Sequence, residues 1–228
     1  MKHKRPKPAA KPIAEPTDDA EEAAARPRII GGTFRGRRLI YAPDLRTRPM
    51  KDRVREAVFN LIGYGIDGKH VLDLFAGTGA LGFEALSRGA ASVTFVDRHF
   101  PTADVIRQNV AALDVSAVAT VLPANVLLWS RRLPPLPAAI PWVAFCSPPW
   151  DLYVEQSDAV LSLLNTLLEH APDGSLLVVE ADERFDLGLL PRPVEWSVRA
   201  YPPAVIAILE KTATTGGDSA GGKPREGG

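Results

Sequence analysis

The feature that most constrains this sequence is a glycine loop set between two regular elements. Gly77-Thr78-Gly79-Ala80-Leu81-Gly82 fits G-x-G-x-x-G. It follows the apolar run His70-Val71-Leu72-Asp73-Leu74-Phe75 and opens a helical stretch from Ala80 to Arg88, which Gly89 ends. A buried strand that turns through glycines into a helix is the first half of a βαβ unit. The pattern then repeats. Ser92 to Asp97 is a second strand and Thr102 to Leu113 a second helix. Val118 to Leu122, Trp142 to Cys146 and Ser175 to Glu180 are three more apolar strands, with a leucine-rich helix from Tyr153 to His170 before the last. Such alternation predicts an α/β, Rossmann-like fold, with a mostly parallel sheet and helices on both faces. The close differs. Val194 to Arg199 and Ala204 to Glu210 are separated only by Ala200-Tyr201-Pro202-Pro203, which suits a terminal antiparallel hairpin at one sheet edge. Upstream of the sheet, Lys51 to Ile62 predicts an amphipathic helix with Val54, Val58, Phe59 and Ile62 facing inward.

The flanks are compositionally different. Residues 1–26 are rich in Lys, Pro, Ala and Glu, and residues 212–228 in Gly and Ser. Neither stretch can bury enough to offset chain entropy, so both are expected to be disordered. Residues 27–211 are left as one domain, with a basic extension over 28–62. No run of about 18 apolar residues is present, so no membrane span is expected. Pro, Asp and Glu stand where a signal peptide would need its apolar segment. With Cys146 as its single cysteine the chain cannot form an intramolecular disulfide, which suits the cytoplasm. Net charge is zero, yet nine basic residues lie between Arg28 and Arg55, opposed only by Asp44 and Asp52. Clustering of this kind is the footprint of a phosphate-binding surface, the bland alternative being a solvated charged face.

The glycine loop suits a nucleotide cofactor. Asp97 lies 18 residues beyond Gly79, at the end of the next strand, where an acid can hold a ribose diol. The glycines alone do not choose between cofactors. Asp73 does, because a carboxylate just before the loop would repel a dinucleotide pyrophosphate and favour the positive ammonium and sulfonium of S-adenosylmethionine.

A second motif, Ser147-Pro148-Pro149-Trp150, follows the strand ending at Cys146. Two prolines lock φ and remove backbone N–H groups. The rigid turn can aim a carbonyl and the Ser147 side chain at one point while Trp150 offers a flat face. Such a site suits a base that leaves its stack, lies on an aromatic ring and presents an amino group to acceptors. An exocyclic amine is a poor nucleophile, and acceptors on its N–H groups favour attack on an in-line methyl.

Asp73 to Gly79 resembles the first motif of class I methyltransferases, and Ser147 to Trp150 the (Asp/Asn/Ser)-Pro-Pro-(Tyr/Phe/Trp) motif of amino-methyltransferases. The upstream stretch is more specific. Arg28-Ile29-Ile30-Gly31-Gly32, Arg35-Gly36-Arg37, Arg48-Pro49 and Asp52-Arg53-Val54-Arg55-Glu56-Ala57-Val58-Phe59-Asn60 resemble the RsmD family of bacterial guanine-N2 methyltransferases acting on small-subunit ribosomal RNA. The resemblance runs from about Arg28 to Glu210. It implies a seven-stranded class I fold, S-adenosylmethionine as methyl donor, and 16S rRNA within a small ribosomal subunit or its precursor as partner, met by a monomer. Carried over by position, Asp73, Phe75, Gly77 and Gly79 hold the methionine part of the cofactor and Asp97 its ribose. Ser147, Pro148 and Trp150 form the amine site. Arg35, Arg37, Arg38, Arg48, Lys51 and Arg53 hold RNA backbone.

Two positions depart from the family. Most members have Asp where this chain has Ser147, and aspartate is the stronger, charged acceptor. Serine does occur there among cytosine amino-methyltransferases. The family also has an acid after the third strand, near the adenine, where this chain has Pro123-Ala124-Asn125; the Asn125 amide oxygen is expected to take the adenine amine. Ser147 therefore keeps two alternatives open: a DNA or other RNA amino-methyltransferase acting on cytosine N4 or adenine N6, and an inactive RNA-binding ribosome-assembly factor. Cys146 is expected to be a small buried packing residue. His70, His99 and His170 show no metal-ligand spacing, so no metal is expected, and Trp129, Trp142 and Trp196 are expected to pack rather than to bind bases.

Overall fold

The strands β1 (His70–Leu74), β2 (Ser92–Asp97), β3 (Ala119–Pro123), β4 (Trp142–Cys146), β5 (Leu176–Asp182), β6 (Ser197–Tyr201) and β7 (Ala204–Glu210) form one sheet in the order β3-β2-β1-β4-β5-β7-β6. The computed structural model describes residues 26–41 and 50–212; the two tails and the stretch carrying Arg46 and Arg48 lie outside the described residues. Strands β1 to β5 run parallel, β7 pairs antiparallel with β5, and β6 antiparallel with β7. The α/β class, the parallel sheet and the terminal hairpin are as the sequence predicts, and seven strands is the number its resemblance implied. Every residue of β1 and β4 is buried, as expected of parallel strands covered on both faces.

Side-chain alternation divides the interior into two cores. Val71, Phe145 and Val178 join one, with residues of α1 (Asp52–Ile62), α2 (Ala80–Ser87) and α3 (Phe100–Ala112). Leu72, Cys146 and Val179 join the other, with residues of α4 (Val126–Trp129) and of α6 (Ser157–His170), which follows α5 (Asp151–Glu155). Strand order reverses between β1 and β4, so the carboxyl ends of these two neighbours open a crevice at the switch point, where α/β sheets bind ligands.

Some expected boundaries shift. The single helix over Tyr153 to His170 is two, α5 and α6, broken at Gln156 (φ −139, ψ 39). The break lets Tyr153 stack on Phe185 at 4.4 Å and donate its hydroxyl to the Glu180 carbonyl at 2.9 Å. Val194 to Trp196 are not strand. Pro193–Glu195 form a short 3-10 turn, and the Trp196 ring nitrogen donates to the Pro191 carbonyl. The hairpin connection is accordingly Pro202-Pro203 alone. Helix α3 begins at Phe100, two residues earlier than its hydrophobic pattern suggests, because Pro101 is tolerated in a first turn. Strand β3 begins at Ala119 and extends through Pro123.

The expected inward face of α1 holds: Val54, Val58, Phe59 and Ile62 are buried, and so is Arg55. Arg55 belongs to the joint between α1, α2 and the basic extension. Glu84 on α2 is fully buried and accepts the backbone N–H groups of Ile30 (2.6 Å) and Gly31 (2.8 Å) and the Arg88 guanidinium (2.7 Å). Arg55 donates to the Arg28 carbonyl and to Asp52 at 3.0 Å, and its Nε lies 3.9 Å from Glu84. Ser87 receives the Phe34 N–H and donates to the Gly31 carbonyl. The fit leaves no room for side chains: a Cβ on Gly32, whose φ is +75, would lie 1.8 Å from the Ser87 carbonyl oxygen. Farther along, the Asn109 amide on α3 pairs with both backbone groups of Ile40.

Burial pulls the Arg55 pKa down, while the Asp52 and Glu84 carboxylates hold it up. Breaking a buried ion pair at one partner strands the other charge. Glu84→Gln is therefore expected to lower the free energy of unfolding by about 3 kcal/mol, as measured by urea denaturation of the full chain.

Candidate functional site

The site is built at the carboxyl ends of four adjacent strands. After β1 the chain turns through three residues of positive φ: Phe75 (59), Gly77 (52) and Gly79 (72). Left-handed backbone suits glycine but strains Phe75, and strain of this kind concentrates at ligand sites. The turn is tied down by Ala76 N–H to Val96 carbonyl (3.1 Å) and Gly79 N–H to Ala76 carbonyl (2.7 Å). It lies directly on the Phe83–Phe95 ring pair. A Cβ on Gly79 would sit 2.8 Å from Phe83 Cε2, and one on Gly82 would sit 2.3 Å from Phe95 Cε1.

Two carboxylates hold the loop. Asp73 is buried and accepts the Gly82 N–H at 2.9 Å. Asp97, half-buried at the end of β2, accepts Gly77 N–H at 2.9 Å through one oxygen and His99 N–H at 2.8 Å through the other. Asp97 thus stands at the loop's mouth. Asp73 is placed differently from Asp97: one of its oxygens is committed to the first turn of α2, and the buried side chain lies behind the loop. Burial pushes its carboxyl up to about 7, opposed by the Gly82 N–H and assisted by the Asp97 charge. Asn125 differs from its expected placement. Its amide oxygen, expected to take an adenine amine, caps α4 by accepting from Leu127 N–H (2.9 Å) and Leu128 N–H (3.3 Å).

Ser147 to Trp150 follow β4, and because Leu74 pairs in register with Cys146, this motif lies beside the glycine loop. Pro148 is buried, Ser147 half-buried, and Trp150 half-buried where it packs against the second core and opens α5. A residue passed over in the sequence joins them. Glu180 follows Val179, the register partner of Cys146, so it stands one step beyond the last paired position, as Ser147 does on β4. It is half-buried; burial pushes its carboxyl up, and the nearby Ser147 side chain acts in the other direction. The signal was an acid ending an otherwise apolar strand. Nearby, Arg184 bridges Asp182 (2.7 Å) and Asp151 (3.1 Å), tying the end of β5 to the start of α5.

The basic extension is only partly available to a ligand. Arg35, Arg37 and Arg38 are exposed on the tight turn between Ile29 and Leu39, with Arg37 over the Phe34 ring at 5.5 Å. Lys51 is exposed just before α1. Arg53 is exposed but donates to the Pro202 carbonyl at 3.1 Å, which places it at the rim near the end of β5. Arg48 lies outside the described residues. Arg28 pairs with Asp52, and buried Arg55 is structural.

Cys146, His70 and Trp142 are packing residues, whereas His99 and His170 are exposed. Burial pushes the Cys146 thiol up to about 12. His70 is buried against Ser92 at 2.7 Å. The Trp142 ring nitrogen donates to the Pro137 carbonyl. Among the described residues, no three His, Cys, Asp or Glu side chains gather as metal ligands would, and no helix is long and apolar enough to cross a membrane.

The profile of a family described as conserved hypothetical protein 95 matches residues 27–199. The chain is 45% identical over 94 residues to YlbH of Bacillus subtilis (strain 168), covering 41% of this chain and 51% of the relative. Over 86 residues it is 45% identical to ribosomal RNA small subunit methyltransferase D of Escherichia coli (strain K12), covering 38% of this chain and 43% of the relative. It thus spans about half the length of the curated relatives it matches. The solved structure of yhhF from Escherichia coli superposes with a TM-score of 0.68 at 28% identity, over 83% of this chain and 99% of that one.

Asp73 also makes stability depend on pH. Its folded pKa lies above the unfolded value of about 4, so the native state binds the extra proton and stability falls as pH rises from about 4 through 7. In urea titrations across that range, Asp73→Asn is expected to flatten this slope while an amide oxygen still accepts the Gly82 N–H.

Proposed function

The chain belongs to the RsmD family, whose profile is described as conserved hypothetical protein 95, and on that premise we propose that it transfers a methyl group from S-adenosylmethionine to the exocyclic N2 of a guanine in small-subunit ribosomal RNA. The observation that carries the reading is the register of β1 on β4, which sets the glycine loop and Ser147 to Trp150 side by side at the switch point of the sheet.

The residues present fit the cofactor. A loop that tolerates no Cβ at Gly79 lets a ligand approach the backbone closely. In this reading Asp97, which accepts the Gly77 N–H, takes the ribose diol, and Phe75, Gly77 and Gly79, at their positive φ, border the methionine part. Asp73 fixes the loop through the Gly82 N–H, and its carboxylate favours the positive ammonium and sulfonium of the ligand from behind. Bound there, S-adenosylmethionine supplies a sulfonium methyl carbon, to which the amine nitrogen bonds as the sulfur–carbon bond breaks and its electron pair returns to sulfur. The Pro148-Pro149 turn holds Ser147 rigid, so its hydroxyl oxygen can accept an amine N–H and turn the nitrogen lone pair toward that carbon. Trp150 offers the ring against which the flipped base lies. Arg35, Arg37, Arg38 and Lys51 draw RNA phosphates toward this face, and Arg53 both braces the rim and contributes charge. A monomer acting in the cytoplasm on a ribosomal subunit or its precursor suits this arrangement.

Mass spectrometry of nucleosides from small-subunit rRNA, with and without this gene's product, tests the reading. Loss of one N2-methylguanosine is expected. Loss of a methylated cytosine or adenine would keep the chemistry and move the target, the outcome Ser147 favours. No change in any methylated base would overturn methylation of rRNA. In the same assay Trp150→Ala is expected to slow transfer by roughly 10- to 100-fold, the worth of about 1–3 kcal/mol of base stacking, and Asp97→Ala to abolish it through lost cofactor binding.

A further inference from the structure

Serine alone is a neutral acceptor. Attack by an exocyclic amine leaves a positive nitrogen that must lose a proton, and a charged acceptor serves that step better. The neighbouring strand supplies one. Along β4, Val143 and Phe145 face the core that α1 covers, so Ser147 continues on that face; along β5, Leu176 and Val178 face it, and Glu180 continues likewise. The two side chains therefore leave adjacent parallel strands at matching positions, on one side of the sheet, just beyond Cys146 and Val179.

We propose that Glu180 is a positioning residue of methyl transfer, its carboxylate accepting the Ser147 hydroxyl so that Ser147 and Glu180 together act as the charged acceptor of the amine. This rests on the methyltransferase reading above and deepens it. The nitrogen forms its bond to the methyl carbon as the sulfur–carbon bond breaks and the electron pair returns to sulfur. The amine proton then passes to Ser147 Oγ as the hydroxyl proton of Ser147 passes to Glu180, which later yields it to water.

Three observations support the pairing. Among the described residues Glu180 has no basic partner, because Arg184, the nearest cation along its own chain, is taken by Asp182 and Asp151. A half-buried carboxylate without a cation costs stability, which is tolerated where it has a task. Burial holds the Glu180 carboxyl above its ordinary value, with the Ser147 hydrogen bond acting in the other direction, and a carboxylate so placed is the better proton acceptor. The Tyr153 hydroxyl, donated to the Glu180 carbonyl at 2.9 Å, holds the strand end in place.

The test is a double-mutant cycle on the full chain, with methyl-labelled S-adenosylmethionine and small ribosomal subunits from cells lacking the gene. Glu180→Gln is expected to lower kcat by about 100-fold, with KM for both substrates unchanged and the melting temperature not lowered. In the Ser147→Asp background, where one carboxylate already meets the amine, the same Glu180→Gln change is expected to cost less than about tenfold. An active unaltered chain with an equally active Glu180→Gln overturns this proposal alone, as does an equal loss in both backgrounds. An unaltered chain that labels no RNA overturns the methyltransferase reading beneath it, and this proposal with it.

Discussion

A single buried carboxylate, Glu84, joins the parts of this protein that act together. It sits on α2, all eight residues of which are buried, and it neutralises Arg88 and backs Arg55 while taking two backbone N–H groups of the basic extension. Buried charge is tolerated only when paired and hydrogen-bonded, so α1, α2 and residues 28–31 are held in one arrangement. Helix α2 also begins at Gly79. The same short helix therefore carries the glycine loop at one end and the anchor of the arginine-bearing turn along its side.

The sheet supplies the second constraint. Parallel pairing of β1, β2, β4 and β5 aligns their carboxyl ends, so that Asp97, the glycine loop, Ser147 and Glu180 line one edge of the sheet without being near in sequence. Period-two alternation then puts Val71, Asp73, Phe95, Asp97, Phe145 and Val178 on the face that α1, α2 and the extension cover. The absence of room for a Cβ at Gly79 and Gly82 is a consequence of the loop lying flat on Phe83 and Phe95.

The sequence by itself determined the class of fold, the positions of the strands to within a few residues, and the two motifs of the site, because these depend on local periodicity and on residues whose backbone chemistry is special: glycine in left-handed turns, proline in a rigid one, apolar runs in strands buried on both sides. Gly79 and Pro148 were legible for that reason. What only the tertiary structure decided concerns polar groups whose partners are distant in the chain. Arg55 carries the same charge as Arg35 in the sequence, yet one is buried against Asp52 and Glu84 and the other is exposed. Asn125 was legible as a polar side chain after β3 but not as a helix cap, and Tyr153 to His170 was legible as helical but not as broken, since the break serves a contact with β5. Glu180 was legible only as an acid ending an apolar strand, a local signal that names no neighbour. Its place beside Ser147 comes from the register of β4 on β5, a pairing between strands some 30 residues apart, and register is a property of the packed sheet rather than of either strand.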